Sequence, residues 1–288
     1  MGLLDGKVAI VTGAGRGIGR GEALLLAQEG ACVVVNDVGV ELDGSGGDQS
    51  IAQSVVAQSV VDEIEAGGGR ALADTESVAE HEAAQRIVQR AIDGFGRLDI
   101  LVNNAGITRD KMIYNMDEEM FDAVIAVHLK GSFNLGKWAC RHFRESKAGG
   151  RIINTTSAAG LVGNVGQSNY GAAKAGIAAM TLIWSREMDR YDVTVNAIAP
   201  AARTRMTMAA FGDLEPDEEI EFDAMAPENV APLVAYLASD EAADVTGQVF
   251  GISAGDIEVF EPWQPKGSLS KEERWTPAEL AERMKEIV

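Results

Sequence analysis

The 288-residue chain has little that would tie it to disulfides, metals, nucleic acid or a bilayer. With only two cysteines, Cys32 and Cys140, no disulfide framework and no zinc-type spacing can be drawn. Cys32 precedes Val33-Val34-Val35 and reads as a small core residue. The three histidines, His81, His128 and His142, stand apart from other ligand types, so no metal is expected. The apolar runs fall far short of the roughly 20 residues that cross a membrane. Met1-Gly2-Leu3-Leu4-Asp5-Gly6-Lys7 lacks the apolar region of a signal peptide, and the C-terminus carries no peroxisomal or ER address, so a cytoplasmic location is expected. Basic residues are also scarce: 25 Lys and Arg against 44 Asp and Glu leave a net charge of −19. That balance disfavours nucleic acid and anionic membranes as partners, and equally an acidic carrier protein as substrate donor.

What remains is 46% hydrophobic, enough for one α/β domain with a full core. Lys7 to Thr12 is a short apolar run of the kind found in buried strands. It enters Thr12-Gly13-Ala14-Gly15-Arg16-Gly17-Ile18-Gly19, and a helical stretch follows. Glycines at 13, 17 and 19 let a backbone turn sharply and approach a pyrophosphate at a helix N-terminus. The spacing is G-x-x-x-G-x-G rather than G-x-G-x-x-G, so the strand-turn-helix context carries the inference. Ala31 to Val35 is a second strand ending at Asn36-Asp37. A carboxylate at Asp37 can accept hydrogen bonds from ribose hydroxyls and would repel a 2′-phosphate, favouring NAD over NADP. Arg16 pulls the other way, because a cation in the glycine turn could hold that phosphate. Residues 38–48 form a glycine-containing loop. Ala52-Gln53-Ser54-Val55-Val56 is repeated at 57–61 and is taken as a local duplication within one helix.

Further strands are expected at Arg70 to Ala73, Asp99 to Asn103, Arg151 to Ser157, Val193 to Ala199 and Gly247 to Ile252, alternating with helices. Ser77 and Val78, after the third strand, are placed to line an adenine; Ser77 could equally cap the next helix. Asn103-Asn104-Ala105-Gly106 opens from the fourth strand, and Ser157 sits at the C-terminal end of the fifth, where ligands bind in open parallel sheets. One long helix is expected from Glu118 to Arg144, and a mobile lid from Arg205 to Phe222. The alternation predicts a single-domain, Rossmann-type, doubly wound parallel sheet of about seven strands over residues 1–255. A C-terminal extension, 256–288, follows. In it Thr276-Pro277-Ala278-Glu279 reads as a helix start, and the segment could cover a neighbouring subunit or the active-site mouth.

Tyr170-Gly171-Ala172-Ala173-Lys174 puts a phenol and an ammonium on one face of a helix. Bringing a tyrosine from a pKa of about 10 to roughly 7 takes about 4 kcal/mol. One positive charge about 4 Å away, at an effective dielectric of about 20, supplies about that much. A plain surface pair would satisfy the same short pattern.

Taken together, Thr12-Gly13-x-x-x-Gly17-x-Gly19, Asn103-Asn104-Ala105-Gly106, Ser157 and Tyr170-x-x-x-Lys174 resemble the short-chain dehydrogenase/reductase family over about residues 5 to 255. The resemblance implies that Tyr170 is the general acid/base, that Lys174 lowers its pKa and holds the nicotinamide ribose, and that Ser157 binds the substrate oxygen. It also implies that Asn104, with the Ala105-Gly106 turn and Pro200, contacts the cofactor. Two positions depart from the family pattern: His128 stands where a catalytic Asn is usual, and Ala201 follows Pro200 in place of Gly. Asn36-Asp37-Val38-Gly39, the run from His128 to Phe133, Gly163-Asn164-x-Gly166-Gln167-x-Asn169-Tyr170 and the run from Ala199 to Thr207 are similar to the dehydrogenase region of peroxisomal multifunctional β-oxidation enzymes. That branch implies oxidation of a (3R)-3-hydroxyacyl-CoA, fatty or steroid-derived, with NAD as cofactor. The hydratase and sterol-carrier regions of those enzymes have no counterpart in this sequence, which points to a stand-alone relative, and the alanine-rich stretch 171–179 could pack closely against a symmetry mate, so a homotetramer is expected. CoA phosphates are expected near Arg109, Lys111 or Arg203. The alternatives are a hydroxysteroid or other secondary-alcohol dehydrogenase needing no CoA, an NADPH-dependent 3-oxoacyl reductase, and a nucleotide-binding protein without turnover.

Overall fold

A computed structural model describes residues 2–46, 50–206, 208 and 222–288. Most of the expected lid, 205–222, lies outside the described residues. Among the described residues eight strands form one sheet: β1 Val8–Thr12, β2 Cys32–Asn36, β3 Arg70–Asp74, β4 Ile100–Asn103, β5 Gly150–Thr155, β6 Val193–Ala201, β7 Val249–Ser253 and β8 Asp256–Phe260. Their order is β3-β2-β1-β4-β5-β6-β7-β8. All neighbours pair parallel except β7 and β8, which pair antiparallel from Val249↔Phe260 to Ser253↔Asp256. The eighth strand exceeds the expected seven. It lies in a segment assigned to the tail because its outward residues, Ile257 and Val259, stay exposed and its period-2 pattern is short. Its place at the sheet edge comes from pairing with β7, which no local pattern announces.

The apolar runs of β1, β2 and β4 form strands because helices cover both faces, so every residue of those runs is wanted inside. On one face Ala23 and Leu26 of α1 (Gly17–Gln28), Val60 and Ile64 of α2 (Ser50–Ala66), and residues of the later helix Ala231–Ala238 pack on Val11, Val33 and Ile100. On the other, Ile87 of α3 (His81–Phe95), Leu135 and Phe143 of Gly131–Ser146, and Met188 pack on Ile10, Leu101 and Ile152. The strand order reverses between β1 and β4, opening a crevice at their carboxyl ends.

The expected helix from Glu118 to Arg144 is α4 (Glu118–Ile125), a π-type turn at Ala126–Lys130, and α5 (Gly131–Ser146). Widened turns of this kind gather at functional positions, and His128 lies inside this one. α6 is the short turn Ala158–Leu161, and α7 is Ser168–Met188. α8 is Ala231–Ala238. In the C-terminal segment α9 (Pro277–Arg283) begins at a capping box, with Thr276 Oγ1 accepting from Glu279 N–H and the Glu279 carboxylate accepting from Thr276 N–H.

Candidate active site

The glycine turn is built by close backbone approach. A Cβ on Gly19 would stand 2.3 Å from the Gly13 carbonyl oxygen, and one on Gly13 would stand 2.8 Å from Ala105 Cα. Gly17, at φ 53°, has only a methyl of Thr204 near its Cβ position, at 3.9 Å, so its backbone faces open space. These features suit a pyrophosphate lying on the N-terminus of α1. Arg16 is exposed on the lip of the same turn.

Asp37 joins the turn to the loop after β2. Its Oδ2 accepts from Gly15 N–H at 2.9 Å and its Oδ1 from Gly39 N–H at 2.7 Å. The carboxylate is thereby held in one orientation at the end of β2, with lone pairs to spare for hydroxyl donors. Asn104 is fixed by the turn: its Nδ2 donates to the Thr12 and Gly13 carbonyls at 2.9 and 3.2 Å. Thr12 Oγ1 accepts from both Asn104 and Ala105 N–H, at 3.0 Å each, locking the ends of β1 and β4 together. Ser77 does not cap α3, which begins at His81 after Glu80; Ser77 accepts from Ala79 N–H within the loop.

Ser157 lies two residues beyond the end of β5, which stops at Thr155 and not at the expected Ser157, and caps α6, accepting from Ala159 N–H at 3.2 Å. Tyr170 lies in the first turn of α7, anchored by the fully buried Asn169. The Asn169 side chain donates to the Arg109 and Met120 carbonyls and accepts from Tyr170 N–H at 2.7 Å. Lys174 follows one turn later. Its Nζ donates to the Thr155 carbonyl at 2.6 Å and stands 5.4 Å from the Tyr170 ring centre. Thr156 Oγ1 donates in turn to the Lys174 carbonyl at 2.7 Å, tying α7 to β5.

His128 is buried under this pair. Its ring meets Tyr170 edge-to-face, with centres 5.1 Å apart. Nε2 lies 2.7 Å from the Ile107 carbonyl oxygen and 3.0 Å from Ile107 N, while Nδ1 has no partner among the described residues. Burial, aided by the Lys174 charge, pulls its pKa down to about 3, so the imidazole is neutral. Gly106 makes room for it: a Cβ there would stand 2.3 Å from His128 Cε1.

The electrostatics correct one expectation. Lys174 does not depress the Tyr170 phenol in this arrangement: burial raises the phenol above its usual value, a Ser157 hydrogen bond opposes this, and the Asp110 charge adds to the rise. Burial instead brings the Lys174 ammonium down to about 7. Its hydrogen bond goes to the Thr155 carbonyl and not to the phenol, which is why the through-space estimate at 4 Å fails.

Every residue singled out in the sequence for cofactor or chemistry lines one cavity of about 850 Å³. The lining includes the glycine turn (Gly13, Arg16, Gly17, Ile18, Gly19) with Asp37, Ser77 and Val78. It also includes Asn104, Ala105, Gly106 and Pro200, and His128, Ser157, Tyr170 and Lys174. Val40, Glu41, Leu42 and Gly44 form a further wall that the sequence did not disclose. The Leu42 carbonyl accepts from Thr108 N–H at 2.9 Å, the Asp43 carbonyl accepts from Arg109 Nε at 2.7 Å, and Glu41 pairs with Arg205 at 3.4 Å. A glycine-containing loop gives no local signal of such distant anchors. The cations considered for CoA phosphates are largely committed: Arg109 pairs with Glu119 and Arg203 with Asp223, while Lys111 is exposed. Among the described residues no group of three acidic, His or Cys side chains is arranged to hold a metal ion, and no helix is long and apolar enough to cross a membrane.

The short chain dehydrogenase family profile matches residues 7–215. The chain belongs to this family. As a short-chain dehydrogenase it is 44% identical to hydroxyacyl-CoA dehydrogenase ChsB1 of Mycobacterium tuberculosis, over 98% of this chain and 89% of that protein. It is 42% identical to peroxisomal multifunctional enzyme type 2 of Mus musculus, over 88% of this chain but only 32% of that longer protein. A crystal structure of a short chain dehydrogenase from Mycobacterium avium shares 56% identity, with a TM-score of 0.87 and coverage of 99% and 96% of the two chains. The family, the Rossmann-type fold and a nicotinamide-dependent oxidation of a hydroxyl group are thereby established for this chain.

Proposed function

We propose that the chain oxidises a (3R)-3-hydroxyacyl-CoA, fatty or steroid-derived, with NAD. The convergence of Ser157, Tyr170 and Lys174 on one cavity that Asp37 also lines carries the proposal. The hydroxyacyl-CoA specificity named for the Mycobacterium tuberculosis relative supports the substrate class.

The glycine turn fits a dinucleotide: the nearest atom to the Cβ position of Gly17 is 3.9 Å away, so the backbone at the N-terminus of α1 is open where it lines the cavity. Gly13, Gly17, Ile18 and Gly19 would hold the pyrophosphate, Asp37 the adenosine ribose, and Ser77 and Val78 the adenine. When bound, the nicotinamide supplies the hydride acceptor and, in its oxidised form, a positive charge. Ser157 Oγ hydrogen-bonds the substrate oxygen. Tyr170 Oη takes the alcohol proton in oxidation and returns it in reduction. Its raised pKa in the free chain suits the acid form, and the positive charge of a bound oxidised nicotinamide would shift it toward the base form. Lys174 binds the nicotinamide ribose while anchored on Thr155. His128, neutral and fixed on Ile107, holds the Tyr170 ring in place through its edge contact. Arg109, Lys111 or Arg203 would meet the CoA phosphates, with Glu119 and Asp223 displaced from the two arginines.

The preference for NAD rests on the fixed Asp37 carboxylate, whose charge opposes a 2′-phosphate more directly than exposed Arg16 attracts one. We also place the protein in the cytoplasm as a homotetramer: α7 leaves Ala172, Ala179 and Ile183 exposed for a symmetry mate. Light scattering that shows a stable monomer at micromolar concentration refutes the tetramer. Steady-state oxidation of 3-hydroxyacyl-CoA and of steroid alcohols, with NAD and NADP side by side, tests the rest. Turnover with NADP equal to that with NAD overturns the role given to Asp37. Turnover of free alcohols but not of the thioester overturns the substrate class.

A further inference from the structure

The connection from Ser157 to Tyr170 carries a chain of amides that the reaction derived above does not use. Gly163 and Gly166 take left-handed backbone, at φ 85° and 81°, on either side of Asn164 and Val165. The turn is pinned from outside, because Lys111 N–H donates to the Gly166 carbonyl at 2.9 Å. The side chains continue the attachment: Gln167 Nε2 donates to Asp110 Oδ2 at 2.7 Å, and Asn164 Nδ2 donates to Gln167 Oε1 at 3.0 Å.

The direction of this chain is forced. A carboxylate offers only acceptors, so Gln167 must turn its NH2 to Asp110 and its oxygen to Asn164. Asn164 must then present its NH2 to Gln167. One of the two N–H groups of Asn164 serves that bond, and the other has no partner among the described residues and is open to a ligand. Asn164 and Gln167 both line the cavity that contains Ser157 and Tyr170. Gln167 is the residue before α7, and its carbonyl accepts from Gly171 N–H at 2.7 Å, which sets the chain at the start of the helix that carries Tyr170.

A 3-hydroxyacyl thioester differs from a plain secondary alcohol by a second oxygen, the thioester carbonyl two carbons from the reacting carbon. We propose that Asn164 is a specificity-determining residue whose amide N–H, oriented by Gln167 and Asp110, donates a hydrogen bond to that thioester carbonyl. This inference rests on the hydroxyacyl-CoA function proposed above. Asp110 and Gln167 act through Asn164 and are positioning residues.

The test compares two ligands that differ only at the carbonyl: (3R)-3-hydroxybutyryl-CoA as substrate, and its thioether analogue, with CH2 in place of C=O, as a competitor whose Ki is measured against the thioester whether or not its own hydroxyl is oxidised. Wild type should favour the thioester, and Asn164→Leu should raise its KM about tenfold while leaving the thioether Ki within about twofold. Gln167→Leu should move the same ratio in the same direction, by less. Equal weakening of both ligands, which a merely structural loop would give, overturns the inference, as does an unchanged ratio. Absence of any thioester turnover by wild type is a different result: it overturns the functional proposal itself and the inference with it.

Discussion

Glu22 is fully buried in α1, and neither carboxylate oxygen has a hydrogen-bond partner among the described residues. Burial pushes its pKa from 4.5 up to about 8. Folding therefore keeps a proton that the unfolded chain releases, so stability falls as pH rises from about 4.5 and levels off above about 8. Over that whole interval the loss approaches about 5 kcal/mol, an upper bound because relaxation and water entry reduce it. Glu22→Met keeps the length of the side chain and removes the ionisable group. In urea denaturation followed at pH 5 and pH 8.5, the variant should gain little over wild type at the lower pH and several kcal/mol at the higher. The difference between the two proteins cancels the other titrating groups. A gap that does not widen with pH refutes the assignment of a buried, unpaired carboxyl to this helix.

Lys174 has the opposite sign and a higher window. Its value falls from 10.5 to about 7, so the buried ammonium destabilises the fold below about pH 7 and ceases to do so as the pH rises toward the unfolded value. Lys174→Met should accordingly stabilise the protein at pH 6 but not at pH 10, by urea melts, while removing turnover. Tyr170→Phe should lower kcat by about 10²–10⁴-fold with dinucleotide binding retained in a fluorescence titration; appreciable residual turnover would show that the phenol is not the proton carrier. Gly106→Ala should displace His128, with the melting transition lowered by the equivalent of about 1–3 kcal/mol and kcat reduced. Normal kcat and stability there would show that the imidazole does not hold Tyr170.

The sequence alone determined the alternation of strands and helices, because apolar runs of strand length and amphipathic helical stretches are local patterns that follow from which side chains must leave water. It also determined the candidate site as a set of residue types, since a glycine turn after a strand, a carboxylate at the next strand end, and a tyrosine one helical turn before a lysine each imply their chemistry from neighbours in the chain. Tertiary structure alone decided the partners. Asp256–Phe260 joins the sheet only because β7 offers it an edge, and the loop at 38–46 becomes a cavity wall only through Thr108, Arg109 and Arg205. Lys174 directs its amine to Thr155, so burial rather than a neighbouring charge governs the phenol. Contacts and dielectric depend on atoms brought together from distant parts of the chain, and no local spacing encodes them.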